Sequence, residues 1–425
     1  MPDLDFKVRF VTPAFLGAAP AGKKSVSYIE IDRQTKEPRL MTAQPESYPI
    51  DSYGIRIPSL RGVLEFWYRA LWGGIPATEV FKRQEAVFGS ANAGQGVRIR
   101  SLGVPNLERH SGELCYAGQE RYDFLYLGYG PLQLLRQPEP GRPNGPGKEV
   151  ATTHHKKQWR YAILVDGDAV WFPFRAAGTA CQLRELERAL TLLHLFGGLG
   201  SRSRRGWGSV EVAGEFLPGG SSPVLTPEGM AALLRSVWDE SDIVRPSSIA
   251  IQPSFSAFSS RTEIHTTPIC RSYKDVLRTF YRHFRRVRSW SAEPKGTLTQ
   301  TDHDLEFHDS KHPAAGITGV PARLAFGMPY QPRSAKGWSV EYVGRRPGAS
   351  LDDDTTRRSS PLLLKVLEIE KDRFQGIALF LDAQFFGDPA AQIGAKKMLR
   401  TLPFPGYGAI REFFASSEWG HVRLP

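Results

Sequence analysis

The stretch HLFGGLGSRSRRGWGSVEV, residues 194–212, sets five glycines and three arginines between an apolar run of helical spacing and an alternating run of strand spacing. Just before it, LRELERALTLLHLF places Leu183, Leu186, Leu190 and Leu193 on one helical face. After it, GWGSVEVAGEF reads as a strand. Glycine loops that cradle nucleotide phosphates come after a strand and open a helix, where amide groups and the helix dipole meet the anion. Here that order is reversed and no Gly-Lys-Ser/Thr follows, which argues against a Walker-type loop. A left-handed helix cap at Gly197 or Gly198 accounts for two of the glycines. Gly200, Gly206 and Gly208 then mark backbone that something approaches closely, with Arg202, Arg204 and Arg205 to neutralise it.

Outward from this loop, the N-terminal LDFKVRF alternates Leu4, Phe6, Val8 and Phe10 against charged residues, the period of a half-buried strand. In SLRGVLEFWYRALWG, Leu60, Val63, Leu64, Trp67, Ala70 and Leu71 recur at helical spacing, with Ser59 as the expected N-cap. VRIRSLG reads as a second strand and YAILVDGDAVWFPF as one or two more, turning at Asp166-Gly167. Strand, helix, strand, strand, helix, strand is the ferredoxin-like plan. LPGGSSPVLTP resembles a linker, after which a similar series begins again. SSIAIQPSFSAFSSRTEI predicts a strand, YKDVLRTFYRHFRRV a helix, and PLLLKVLEIEKDRFQGIALFLDAQFF a hairpin turning near Asp372. The expected fold is therefore α+β, tandem ferredoxin-like (RRM-like) domains with insertions, spanning residues 1–218 and 219–425.

At 425 residues, with 41% hydrophobic and 23% charged residues, the chain has the composition of a globular protein. It contains no apolar run long enough to span a bilayer, and the N-terminus lacks the plan of a signal peptide, so a cytoplasmic location is expected. Cys115, Cys181 and Cys270 are far apart and form no C-x-x-C pair, which argues against disulfides and structural zinc. Fifty-five Lys and Arg against 44 Asp and Glu give a net charge of +11. The arginines cluster in the glycine loop and again over Arg282, Arg285, Arg286 and Arg288, and guanidinium forks suit phosphate and base contacts. A polyanionic partner such as nucleic acid is the natural reading.

The helix followed by GGLGSRSRRGWGSVEV resembles the glycine-rich loop of the RAMP proteins, ferredoxin-like RNA-binding subunits of CRISPR systems. FVTPAFLG, IPSLRGVLEFWYRAL, RSWSAEP, RLAFGMPY and SSPLLLKV, in this order, are similar to segments of the first-subunit family of the Cmr complex, the type III-B CRISPR effector. That family carries Trp-Pro-Glu where Trp290-Ser291-Ala292-Glu293 stands here. The resemblance implies a non-catalytic, two-domain subunit near the filament end that holds the 3′ part of the guide. Its implied partners are the crRNA, the target single-stranded RNA and other Cmr or RAMP subunits, with no cofactor.

The candidate RNA-binding residues are Arg56, Arg61, Phe66, Trp67 and Arg69 of the first helix; Lys156 and Lys157; Arg202, Arg204, Arg205, Gly206 and Trp207 of the loop; and Arg285 and Arg286. Arginines interleaved with rings suit single strands, because each stacked base contributes roughly 1 to 3 kcal/mol. Register puts Trp67 on the buried stripe and leaves Arg61 and Phe66 off it. THHKKQWR offers a second reading, a metal-independent RNA endonuclease using His154 or His155 as general acid and base. A third is a structural cap whose basic faces meet acidic neighbours. His303, His308 and His312 stand among carboxylates, but their spacing is no recognised metal set and a solvated loop is the expectation.

Overall fold

The structure, a computed structural model, describes chiefly residues 2–16, 26–31, 38–43, 54–90, 94–137, 148–153, 162–217, 227–288, 325–327, 340–343, 355–356, 359–384 and 392–424, with a few positions inside these spans left out. The first half builds a four-stranded sheet from β1 (Asp3–Phe10), β2 (Arg98–Ser101), β3 (Trp171–Ala177) and β4 (Val210–Ala213). Their order is β4-β1-β3-β2 and all neighbours are antiparallel. Between β1 and β2 run α1 (Ile57–Ala70) and α2 (Ala77–Phe88); α3 (Glu120–Gly128) follows β2, and α4 (Ala180–Phe196) joins β3 to β4. Stripped of the insertions this is β1-α1-β2-β3-α4-β4 with strand order 4-1-3-2, the ferredoxin-like topology.

The second half repeats it. After α5 (Pro227–Trp238) come β5 (Glu263–Thr266), α6 (Tyr273–Arg288), β6 (Leu362–Glu370), β7 (Arg373–Phe380), α7 (Gly408–Phe414) and β8 (Gly420–Val422). The sheet order β6-β7-β5-β8 is again the second, third, first and fourth strand. The β6–β7 hairpin turns at Asp372, whose φ of 60° is the left-handed conformation that a short polar side chain tolerates.

Side-chain alternation explains each layer. Phe6, Val8 and Phe10 point inward with Phe172 and Phe174, and meet Leu60, Leu64 and Trp67 of α1 and Leu186, Leu190 and Leu193 of α4. A capping box starts α4: Thr179 accepts from the Gln182 N–H at 3.2 Å, and the Gln182 side chain accepts from the Thr179 N–H at 3.0 Å. Ser59 is not the cap of α1; the helix starts at Ile57 behind Arg56, because Pro58 fits the first turn, where its missing N–H costs nothing.

Strand β6 is buried on both faces, which is why it reads as the nearly continuous apolar run LLLKVLEIE. Leu362, Leu364 and Val366 pack with Val276, Leu277 and Phe280 of α6, whereas Leu363, Leu367 and Ile369 join the core that holds α4. The second sheet thus has its own helices on one face and the first half's helix on the other. Residues 247–264, expected as a strand, are instead a short 3-10 turn at Pro246–Ser248 and irregular chain, with strand only from Glu263. This segment follows α1: the Phe258 N–H donates to the Ala70 carbonyl at 2.9 Å, and Phe258 packs on Phe196 and Trp238. Among the described residues no helix is long and apolar enough to cross a membrane.

Candidate nucleic-acid interface

The glycine loop faces protein. Gly197, the C-cap of α4, is extended rather than left-handed, with φ −98°. Positive φ falls instead on Gly200, Gly206, Gly208 and Arg202. At Gly208 a β-carbon would stand 2.0 Å from the Leu199 carbonyl oxygen, and at Gly206 it would meet Leu277 and Phe280 of α6. Thr12 donates to the Gly206 carbonyl at 2.7 Å, the Gly208 N–H to the Pro13 carbonyl at 2.9 Å, and the Leu364 N–H to the Arg204 carbonyl at 3.0 Å. The loop is therefore wedged between the chain's first strand and its second half. Trp207 is fully buried against Phe15, Tyr116 and Phe124.

Of the residues that the sequence singles out, Trp67, Gly206 and Trp207 lie inside the fold, so packing accounts for them and no open ring face is left for a base. Arg204, expected to neutralise a ligand at the loop, lies over the Phe66 ring at 4.8 Å and donates to the Ser360 carbonyl at 2.7 Å. It joins α1, the loop and the second half. Arg202 donates to the Tyr129 carbonyl at 2.7 Å; Arg205 is half-buried in the same loop. Arg61 and Arg69 share one side of α1, and both turn to α2: Arg61 reaches Glu65 and the Phe88 carbonyl, and Arg69 reaches Gln84 at 2.6 Å. Arg56 is half-buried where α1 begins, and Arg285 is exposed on α6. Arg286 donates to the Glu412 carbonyl at 2.6 Å. Lys156, Lys157, His154, His155 and the segment with His303, His308 and His312 lie outside the described residues.

The outer face of the first sheet holds a basic surface that the sequence reading missed. The alternation that turns Phe6 and Val8 inward turns Lys7 and Arg9 outward, onto the same face as Trp171 and Arg175 of β3 and, one strand farther and opposite Ala177 and Arg175, Arg98 and Arg100 of β2. Lys7, Arg98 and Arg100 are exposed. The Lys7 ammonium lies 4.6 Å and the Arg9 guanidinium 5.4 Å from the centre of the half-buried Trp171 ring. Arg175 grips Asp5 with two bonds of 2.6 Å, and this pairing lowers the Asp5 pKa. The signal was present in VRIRS, where alternation sets Arg98 and Arg100 on one face.

Toward β4 this face is closed by the second half. Arg9 bridges Glu211 at 2.6 Å and Glu368 of β6 at 2.7 Å. Below, the fully buried Lys365 ammonium donates to the carbonyls of Leu193, Gly197 at 2.6 Å, and Val210. His194 is buried beside it and accepts from the Val212 N–H through Nδ1 at 3.2 Å. Burial, with the Lys365 charge adding to it, pulls the His194 pKa down to about 3. An unfolded chain takes up this proton below about pH 6.5, whereas the folded one does not, so stability present above that value is lost as pH falls toward 3. Denaturant titrations at pH 7 and pH 5 should differ by about 2 kcal/mol from this residue alone. His194→Gln should show the smaller difference; an equal difference in both chains would dismiss the assignment.

A repeated ferredoxin-like topology with one basic, ring-bearing sheet face defines an α+β protein of RRM-like build. Residues 7–211 match the family model of the RAMP superfamily. No curated protein matches the chain. Among solved structures it is similar to apo Cmr1 from Pyrococcus furiosus, at 16% identity, TM-score 0.47 and 99% coverage of both chains. It is also similar to a chain of the type III-B Cmr-beta complex bound to cognate target RNA, at 12% identity and TM-score 0.44, covering 97% of this chain and 99% of that one.

Proposed function

We propose that the chain is a non-catalytic RNA-binding subunit of a type III-B CRISPR (Cmr) ribonucleoprotein, contacting the 3′ region of the guide RNA, the target RNA, or both, in antiviral defence in the cytoplasm. Its two domains, residues 1–218 and 219–425, would each be one ferredoxin-like unit, and its partners the crRNA, the target and other RAMP subunits. The observation that carries the proposal is the outer face of the first sheet. Lys7 and Arg9 flank Trp171, and Arg98 and Arg100 stand farther along the same face, opposite Ala177 and Arg175, on a four-stranded antiparallel sheet of the kind on which RRM-like domains lay out single strands. The match of residues 7–211 to the RAMP superfamily and the ordered Cmr-like segments in the sequence support the same reading. Arg285 and the partly exposed edge of the loop at Arg202 and Arg205 are further points at which a strand would be held.

Binding of a labelled single-stranded RNA by the purified chain should weaken steadily as salt rises, because each neutralised phosphate releases a counterion. Arg98→Glu with Arg100→Glu should reduce affinity by about tenfold or more and leave the unfolding temperature unchanged, since both residues are exposed. The bound RNA should be recovered uncut. Undiminished affinity in the double variant would remove the sheet face from the proposal, and cut RNA would favour the histidine endonuclease.

A further inference from the structure

A cleft of about 610 Å³ lies at the β8 edge of the second sheet, where β5 begins and β7 and β8 end. Arg261, Arg411, Arg423 and His421 line it, with Ser247 and with Ser260, whose hydroxyl donates to the Ile249 carbonyl at 3.0 Å. Its floor is Asp382, 1% exposed, which accepts from Gln252 at 2.6 Å, from Arg411 Nη2 at 3.0 Å and from Arg261 Nε at 3.2 Å. One buried carboxylate therefore orients two guanidinium groups. A guanidinium carries five N–H donors, and this carboxylate takes one from each. Both side chains are about half exposed, at 46% and 52%, so that apart from Arg411 Nε, which stands against Glu263, each keeps donors open to the cleft or its solvent. Glu263 adds the other negative charge, 3.8 Å from Arg411 Nε. Three arginines against two carboxylates leave the lining with a surplus of positive charge even with His421 neutral, the state that burial and the neighbouring His265 favour.

We infer that this cleft binds a phosphate monoester of nucleotide size, borne by a free nucleotide or by the end of an RNA chain. Arginine forks fixed by a buried acid present convergent donors, the arrangement that planar, multidentate phosphate recognition needs. A volume of this size holds a nucleotide and exceeds what a bare anion fills. The site is separate from the sheet face, on the other half of the chain, and stands whether or not that face holds RNA.

Calorimetric titration of the full chain with adenosine 5′-monophosphate should saturate, and adenosine should bind about tenfold more weakly or worse. Arg261→Gln and Arg423→Gln, each checked for an unchanged unfolding temperature, should each weaken the nucleotide by about tenfold, while Arg98→Glu with Arg100→Glu should leave it unaffected. Short RNAs with terminal phosphate or hydroxyl identify the source: preference for the phosphorylated end, with competition by the nucleotide, assigns an RNA terminus, and no preference assigns the free nucleotide. Absence of saturable binding, equal affinity for adenosine, or undiminished affinity in both folded variants would overturn the inference. Loss of RNA binding with retained nucleotide binding would strike only the sheet-face proposal.

Discussion

Gly208→Val is expected to destabilise the folded chain by roughly 4 kcal/mol or more. With φ at +62°, the position is one where a β-branched residue is strained by itself. A β-carbon there would also stand 2.0 Å from the Leu199 carbonyl oxygen, a backbone atom that cannot swing away as the end of a side chain can. Relief requires moving the 197–208 turn, which breaks the Gly208-to-Pro13 and Leu199-to-Gly208 backbone bonds. Total stabilities of domains are about 5 to 15 kcal/mol, so the loss is a large share. Urea unfolding of the full chain measures it, with Gly62→Ala as the control. Gly62 is an exposed helical position with open space around it, where alanine should be neutral or stabilising by up to about 1 kcal/mol. A Gly208→Val chain as stable as the control would mean the loop is not the wedge described.

Lys365→Ala should cost about 3 to 5 kcal/mol. The ammonium donates to the carbonyls of Leu193 and Gly197 at the end of α4, in addition to the backbone N–H that each already accepts, and to that of Val210 where β4 begins. Alanine removes this buried donor from the Val210 carbonyl and from the cluster of helix-end carbonyls, and opens a cavity; Lys365→Met keeps the stem's volume and should cost less. Burial holds the Lys365 pKa well below 10.5, against the pull of Glu211. Between that lowered value and 10.5 the unfolded chain binds the extra proton, so this residue's contribution to stability rises with pH across the window. Lys365→Met should remove that rise. Denaturant midpoints at two alkaline pH values decide it, and a midpoint in Lys365→Ala equal to that of the parent chain would refute the role.

Where apolar spacing alone sets an element, the sequence was legible. Phe6, Val8 and Phe10 of β1, the stripe Leu60, Leu64 and Trp67 of α1, the whole of α6 and the turn at Asp372 lie where periodicity puts them. Residues 247–264 mislead because their alternating apolar positions serve a segment that crosses the end of α1. Composition marks the glycine loop as closely approached but does not identify the approaching group. Neither guanidinium density nor glycine content tells a phosphate from the Leu277 and Phe280 side chains that in fact lie there. Lys365 could not be read at all, because a lone lysine in LLLKVLEIE looks like a solvent-facing break until the second sheet is known to be covered on both sides.

Lys365 also imposes an order of events during synthesis. The carbonyls that it satisfies belong to residues 155 to 172 positions earlier. At about 5 to 20 residues per second, a ribosome leaves the end of α4 waiting on the order of ten to thirty seconds for this side chain. Through that interval the nascent first half has its sheet strands in hand but lacks the Lys365 donor at the Gly197 and Val210 carbonyls, and has an uncovered apolar flank on α4. A message truncated after residue 213 would yield a fragment in this state permanently, a substrate for chaperones and proteases.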